Sequence, residues 1–222
     1  MKFLLESIVV LISVFLTACD NGGDGGAVSS PTTMTGQVFD AEIANATVEV
    51  VTLDNQLLAT TQTDASGHFS VTFSGQPAQV LKFVASEGSY FEQAGGAQIF
   101  LTNETLISYV DYEPSQEAYV PINVLTHMAA GIFEYQLEQG QGGNLAAVQA
   151  SMDQYAGFSV ESTSMWNLSD QVQVIEFSAK EKASLFSAGV SQFVYDTLIM
   201  DGNEGNQLGS FYTSISYAQT VY

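Results

Sequence analysis

Apolar and polar residues alternate with period two from Thr33 onward, and turn signals break the alternation about every ten residues. MTGQVFD opens the series. ATVEVVTLD follows, with Val48 and Val50 on one face and Glu49 and Val51 on the other. Asp54-Asn55 turns the chain into LLATTQT. Asp64-Ala65-Ser66-Gly67 turns it again, and Gly67 supplies the positive φ that such turns often need. HFSVTF then sets Phe69, Val71 and Phe73 on one face and His68, Ser70 and Thr72 on the other. QVLKFVAS puts Leu81, Phe83 and Ala85 inward and Lys82 outward. AQIFL and TLISYV add two more strands, joined through Thr102-Asn103-Glu104. Short strands at this spacing predict an antiparallel β-sandwich over residues 33–112. The polar DYEPSQE marks its end.

After Pro121 the period changes. Leu125, Met128, Ile132 and Tyr135 share one face of a helix, which Gly140 ends. Asn144 caps a second helix bearing Leu145, Val148, Met152 and Tyr155, and the short link makes the two an antiparallel pair. Ser178-Ala179-Lys180-Glu181 has the form of a capping box and starts a third, with Phe186, Val190, Phe193, Thr197 and Met200 on its stripe. Leu208, Phe211, Ile215 and Ala218 suggest a fourth. The expected fold class is α+β with two domains, an N-terminal antiparallel β-sandwich (transthyretin-like or Ig-like) and a helical domain over 121–222.

The first residues have a different pattern. Lys2 precedes an apolar run, Ile8 to Leu16. A spanning helix needs roughly 20 apolar residues, so this shorter run fits the core of a secretory signal, despite the acid Glu6. The run ends in Leu16-Thr17-Ala18-Cys19, and Cys19 is the only cysteine in the chain. These four residues resemble the lipobox of bacterial lipoproteins. The resemblance implies a signal peptide over 1–18, acylation of Cys19 and a lipid anchor. It places the protein in the bacterial cell envelope, on the periplasmic face of a membrane or at the cell surface, and leaves inner against outer membrane open. DNGGDGGAVSSP is glycine-, serine- and aspartate-rich, so 19–32 reads as a flexible tether.

Charge narrows the choice of partners. Four Lys+Arg against 24 Asp+Glu give a net charge of −20, and every basic residue is a lysine. Losing the leader removes Lys2 and Glu6, so the charge stays at 3 − 23 = −20. Such a surface repels nucleic acid. It also lacks the guanidinium fork that clamps phosphates.

The stretch GQVFDAEIANATVEVVTLDNQLLATTQTDASGHFSVTF resembles the carboxypeptidase regulatory-like, transthyretin-like β-sandwich. Gly36-Gln37-Val38, Ala46-Thr47-Val48 and Thr63-Asp64-Ala65-Ser66-Gly67-His68-Phe69 carry the likeness. Members of that family are mostly non-catalytic modules of exported proteins, and the resemblance transfers no catalytic residue. YVPINVLTHMAAGIFE, together with NLAAVQASMDQYAGF, resembles the helical segment that succeeds such sandwiches in some bacterial lipoproteins.

Candidate chemistry is sparse. His68 falls on an outward strand face. His127 falls on the polar side of the first helix and reads as a solvated imidazole. His127 and Glu134 are two turns apart, about 10 Å along the axis, too far to share one ion. There is no HExxH and no GxSxG. Acylation of Cys19 removes it as a nucleophile. Asp111 and Glu113 read as solvated loop acids. Asp201-Gly202-Asn203-Glu204-Gly205-Asn206 is oxygen-rich, but with glycine fifth, asparagine sixth and Tyr212 twelfth it misses the spacing of a calcium loop and reads as a turn. Trp166, between Met165 and Leu168, reads as a core plug. No catalytic residue, metal site or cofactor is expected. The expected role is a non-enzymatic structural or binding scaffold, with membrane lipid held through Cys19 and an unknown envelope protein or glycan as partner. The alternative is a carbohydrate- or peptide-binding accessory module of a surface enzyme system. Its ligand residues are unknown, with Tyr90 and Phe91 in a GSYFEQ loop as aromatic candidates.

With like charges crowding one surface, salt should stabilise the fold. Raising ionic strength from about 0.01 M to about 1 M cuts the Debye length from about 30 Å to about 3 Å. The thermal midpoint of the chain lacking residues 1–19 should rise in sodium chloride. Calcium at equal ionic strength should do no more; an excess that disappears in Asp201→Ala would reveal a calcium site.

Overall fold

The alternating stretches form strands. The computed structural model describes residues 31–76, 78–92, 97–102, 105–114 and 117–163. Over these residues an N-terminal β-rich region of three sheets is followed by a two-helix region. β1 (Thr32–Phe39), β2 (Thr47–Thr52), β3 (Leu57–Gln62), β4 (His68–Phe73) and β5 (Gln79–Ser86) come first. β6 (Ser89–Glu92), β7 (Ala97–Phe100), β8 (Thr105–Tyr112) and β9 (Tyr119–Asn123) come next. One sheet has the order β4-β1-β9, the second β3-β2-β5-β8, and β6-β7 form a separate two-stranded ribbon.

The period of two decides what goes inside. Val48, Val50, Phe69, Val71, Phe73, Leu81, Phe83 and Ala85 are all buried, whereas His68, Ser70 and Thr72 are exposed. Full burial of a Val, Leu or Phe side chain is worth about 1.5–3 kcal/mol. The inner faces of the two larger sheets meet through aromatic pairs. The rings of Phe69 and Phe83 lie 6.3 Å apart, those of Phe73 and Tyr112 5.7 Å apart. The Tyr112 hydroxyl also shares a 2.7 Å hydrogen bond with Thr32 Oγ1, tying β8 to β1.

The Asp64–Gly67 turn behaves as its sequence predicts. Asp64 Oδ1 accepts from the backbone N–H groups of Ser66 (2.8 Å) and His68 (2.9 Å). Gly67 has φ +76°, and a Cβ there would stand 2.4 Å from the Val38 carbonyl oxygen. That proximity is useful: the Val38 N–H donates to the Gly67 carbonyl at 2.8 Å, pinning the turn to β1.

Two strands were not foreseen. GSYFEQ, expected as a loop, contributes β6, which pairs with β7. β9 runs parallel to β1, so this sheet is mixed rather than wholly antiparallel. Pro121 is tolerated because β9 is an edge strand, where a missing N–H need not break a ladder. Beyond the polar 113–118 stretch, then, the chain returns to the sheet of β1.

β9 passes into α1 (Val124–Glu138) with no loop between. Buried Asn123 caps the helix: its Oδ1 accepts from the N–H groups of Leu125 (2.9 Å) and Thr126 (3.1 Å). Thr126 Oγ1 accepts in return from the Asn123 N–H at 2.9 Å. α2 (Leu145–Ala156) starts at the expected cap, with Asn144 Oδ1 accepting from the Ala147 N–H at 3.0 Å. Leu125, Met128, Leu145, Val148 and Met152 are buried as their spacing predicts, but Ile132 and Tyr135 are only half-buried and Tyr155 is 62% exposed. α1 packs on β8 and β9, α2 on α1 and β8, and their buried residues join the strands' core. The helices expected from Ser178 and near Leu208 lie outside the described residues, as does Trp166.

Gly36 pairs with Phe69 on one side and Val120 on the other. A Cβ there would come within 2.1 Å of the Val120 carbonyl oxygen and 2.5 Å of Phe69 Cζ. Gly36→Ala should therefore destabilise the fold by about 1–3 kcal/mol, in the range of overpacking. Urea unfolding should show a lower midpoint at unchanged slope; an unchanged midpoint would contradict the close approach of β1 and β9.

Candidate functional site

The outer face of the second sheet gathers ionisable side chains. Lys82 on β5 stands in register with Tyr109 on β8, and α1 lays Glu134 over both. Lys82 is the only lysine or arginine among the described residues. Its Nζ donates to Glu134 Oε1 at 2.7 Å, and the Tyr109 hydroxyl donates to the same oxygen at 2.8 Å. Lys82 Nζ also lies 5.6 Å from the centre of the Tyr109 ring, close enough for a cation–π attraction. The edge of Tyr109 packs on Phe133, centroids 4.9 Å apart. Burial raises the Tyr109 pKa well above the usual phenol range, and the charge of Glu134 and the hydrogen bond to it push the same way. The phenol stays protonated and acts as a donor. Lysine and glutamate are each only partly sheltered, at 19% and 31% side-chain exposure, so the ion pair is neither a free surface pair nor a fully desolvated one.

His127 lies two turns before Glu134 on α1, and the structure corrects the sequence reading of it. It is 6% exposed, not solvated. Its Nδ1 accepts from the Ile107 N–H at 3.2 Å. β8 is an edge strand, so alternate N–H and C=O groups point away from β5 and need partners elsewhere. His127 serves one of them. Gln149 on α2 serves a neighbouring one, its Nε2 reaching the Tyr109 carbonyl at 3.5 Å. Burial lowers the His127 pKa to about 4; Glu134 raises it and Lys82 lowers it by smaller amounts. The imidazole is thus neutral with Nδ1 as acceptor, which leaves the proton on Nε2. Together these groups bind α1 and α2 to the sheet through polar contacts as well as apolar ones.

The other sequence candidates do not join this cluster. His68 is exposed, with Nδ1 3.9 Å from Asp64 Oδ1. Asp111 and Glu113 are exposed. Cys19, Asp201 and Glu204 lie outside the described residues. Among the described residues no three His, Cys, Asp or Glu side chains gather where a metal ion could be held, and no helix is long and apolar enough to cross a membrane.

The aromatic candidates need a correction. Tyr90 is 2% exposed, and its hydroxyl reaches Asp40 Oδ2 at 3.3 Å. Phe91 faces the opposite way and is 57% exposed. Its companion is Phe100 on β7, 66% exposed, which the sequence reading passed over. Phe91 pairs with Gln98 and Phe100 with Ser89, so both rings share one face of the ribbon as diagonal neighbours. The period of two in AQIFL was visible, but the strand paired with it was not, and only the pair makes Phe100 a neighbour of Phe91.

Comparison with known proteins adds little. No protein-family model and no curated protein matches the chain. Among solved structures, a 9R-lipoxygenase from Cyanothece is similar at 16% identity, covering 42% of this chain and 16% of that one, with a TM-score of 0.26. The chain thus spans about a sixth of that enzyme, and a likeness so slight carries no argument about fold or activity.

The acidity of His127 gives a signed prediction. Above pH about 6.5 the imidazole is neutral folded and unfolded, and its acceptor contact is fully available. As pH falls from about 6.5 to about 4 the unfolded chain takes up a proton that the folded chain resists, so stability is lost over that window. The loss from this group should total about 3 kcal/mol. Half-buried Glu161 works in the opposite direction. Burial raises its pKa to about 7, a hydrogen bond from Gln149 lowers it and Asp153 raises it further. Its contribution is full below pH about 4.5 and lost as pH rises through about 7. His127→Asn keeps a side-chain acceptor but cannot titrate there. The difference in unfolding free energy between wild type and this variant should therefore shift by about 3 kcal/mol between pH 7 and pH 4. A constant difference would mean that His127 is not held neutral.

Proposed function

We propose that this chain is a non-enzymatic, lipid-anchored protein of the bacterial cell envelope that acts as a structural or binding scaffold. Residues 1–18 would be its signal peptide, 19–32 its tether, 33–112 a sandwich of the carboxypeptidase regulatory-like, transthyretin-like kind and 121–222 a helical domain. The lipobox-like Leu16-Thr17-Ala18-Cys19 supports the anchor. The two facing sheets and the Asp64–Gly67 turn support the sandwich. One observation carries the scaffold role. The clustered ionisable groups Lys82, Tyr109, Glu134 and His127 spend their hydrogen bonds fastening helices to the sheet, whereas Phe91 and Phe100 stand exposed side by side on the ribbon. The polar cluster builds the body, and the aromatic pair offers it a contact surface. That same pair favours the second reading, a carbohydrate- or peptide-binding accessory module.

Anchoring is tested at Cys19. Acyl chains contribute about 0.8 kcal/mol per buried methylene, and firm anchoring takes more than one chain. Cys19→Ser should stop labelling by radioactive palmitate and release the chain from membranes under alkaline wash. A variant that still floats with membranes would refute the lipoprotein reading.

A further inference from the structure

The exposed rings raise the question of what covers them. Phe91 and Phe100 occupy the same face of the β6–β7 ribbon, with Ser89 and Gln98 as the other two residues of that face. Neither neighbour carries charge. Glu87, also exposed, lies two residues before the ribbon. A second copy of the chain is a poor occupant, because each copy carries a net charge of −20. An anionic lipid surface is repelled for the same reason. Phenyl rings also lack the hydroxyl or indole N–H with which Tyr and Trp combine ring contact and hydrogen bonding. What suits both the rings and the field around them is a cation, since the face of a phenyl ring attracts an ammonium or guanidinium group. The molecule already makes this contact internally, where Lys82 Nζ sits 5.6 Å from the Tyr109 ring centre.

Spacing adds a second constraint. Diagonal neighbours on an antiparallel pair lie about 7–8 Å apart. Alternate side chains on an extended peptide lie about 7 Å apart, twice the rise per residue. An extended segment with cationic residues at positions i and i+2 therefore sets one over each ring.

We infer that the solvent face of the β6–β7 ribbon binds an extended basic segment of a partner protein, with alternate Arg or Lys side chains stacked on Phe91 and Phe100. This rests on the scaffold reading and names the class of its partner. The rings supply position, and the acidic field supplies attraction and a fast encounter.

The test uses the full chain in nonionic detergent, so that it does not depend on the fate of Cys19. Two fluorescent peptides carry the same number of arginines, one at every second position with serine between, the other at every third. The first should bind more tightly. Each Phe→Leu change keeps apolar bulk but removes a ring, and should weaken the first peptide about two- to fivefold. Phe91→Leu combined with Phe100→Leu should erase the preference for alternate spacing, while Phe→Tyr at both positions preserves it. Circular dichroism and thermal midpoints of these exposed-site variants should match wild type. Binding that is indifferent to the rings would reduce the contact to bulk charge and overturn the inference. Retention of a glycan such as cellulose or chitin fragments in place of the peptide would point to a sugar and would also overturn it. Membrane association that persists in Cys19→Ser, with peptide binding intact, would refute the lipoprotein reading and leave this inference standing by itself.

Discussion

The outer edge of β8 needs hydrogen-bond partners that no further strand supplies, and much of the structure answers that need. A sheet edge left bare is costly when buried and adhesive when exposed. Here two helices cover it. His127 accepts from the Ile107 N–H and Gln149 donates to the Tyr109 carbonyl. For these side chains to arrive on target, α1 must leave the sheet at a fixed place and angle. The buried Asn123–Thr126 capping box secures that departure directly at the end of β9. The Lys82–Glu134–Tyr109 tie then holds the next turns of α1 against the outer face of the same sheet.

The inner faces of the strands were legible in the sequence because one rule governs them. Where a strand has one buried and one wet face, residues such as Phe69, Val71 and Phe73 announce the buried one. β9 hides from that rule. Val120, Pro121, Ile122 and Asn123 are all buried in succession, so YVPIN shows no alternation, and its proline argues locally against a strand. His127 hides for a related reason. The first two turns of α1 are buried nearly all round, including Thr126 and His127. A polar residue there marks contact with backbone that needs partners, not contact with water. Residue type alone cannot separate the two cases, because both call for a hydrogen-bonding group. Tyr90 and Phe91 fail differently: a four-residue strand is too short to display a period, and which of two adjacent aromatics faces out depends on β7.

Charge and aromatic placement divide the described surface into two kinds of polar chemistry. The single cation, Lys82, is turned inward to a carboxylate and a ring. The acids are left mostly to solvent, and the exposed phenyl rings sit among uncharged neighbours on the ribbon. Among the described residues no lysine or arginine is left to offer a positive group to a partner. Over these residues no ammonium or guanidinium group is left to meet a partner's anion, and exposed carboxylates outnumber the one cation, which constrains the partner's chemistry even where its identity is open.

The parallel pairing of β1 with β9 also bears on the order in which the chain acquires its structure. β1 is the middle strand of its sheet, and its partner Tyr119 lies 119 − 35 = 84 residues downstream of Thr35. β4 pairs with the opposite side of β1 across a shorter stretch of chain, Ser70 lying 70 − 35 = 35 residues after Thr35, and the Val38–Gly67 hydrogen bond reinforces that pairing. The other side of β1 stays open until the rest of the β region has been made. Non-local pairings of this kind pay their loop-closure entropy before any contact repays it, and they slow folding. During synthesis the nascent chain therefore carries an unfinished, sticky strand for most of the β region's length, and the last piece to arrive, YVPIN, seals the sheet and launches the helix in the same step.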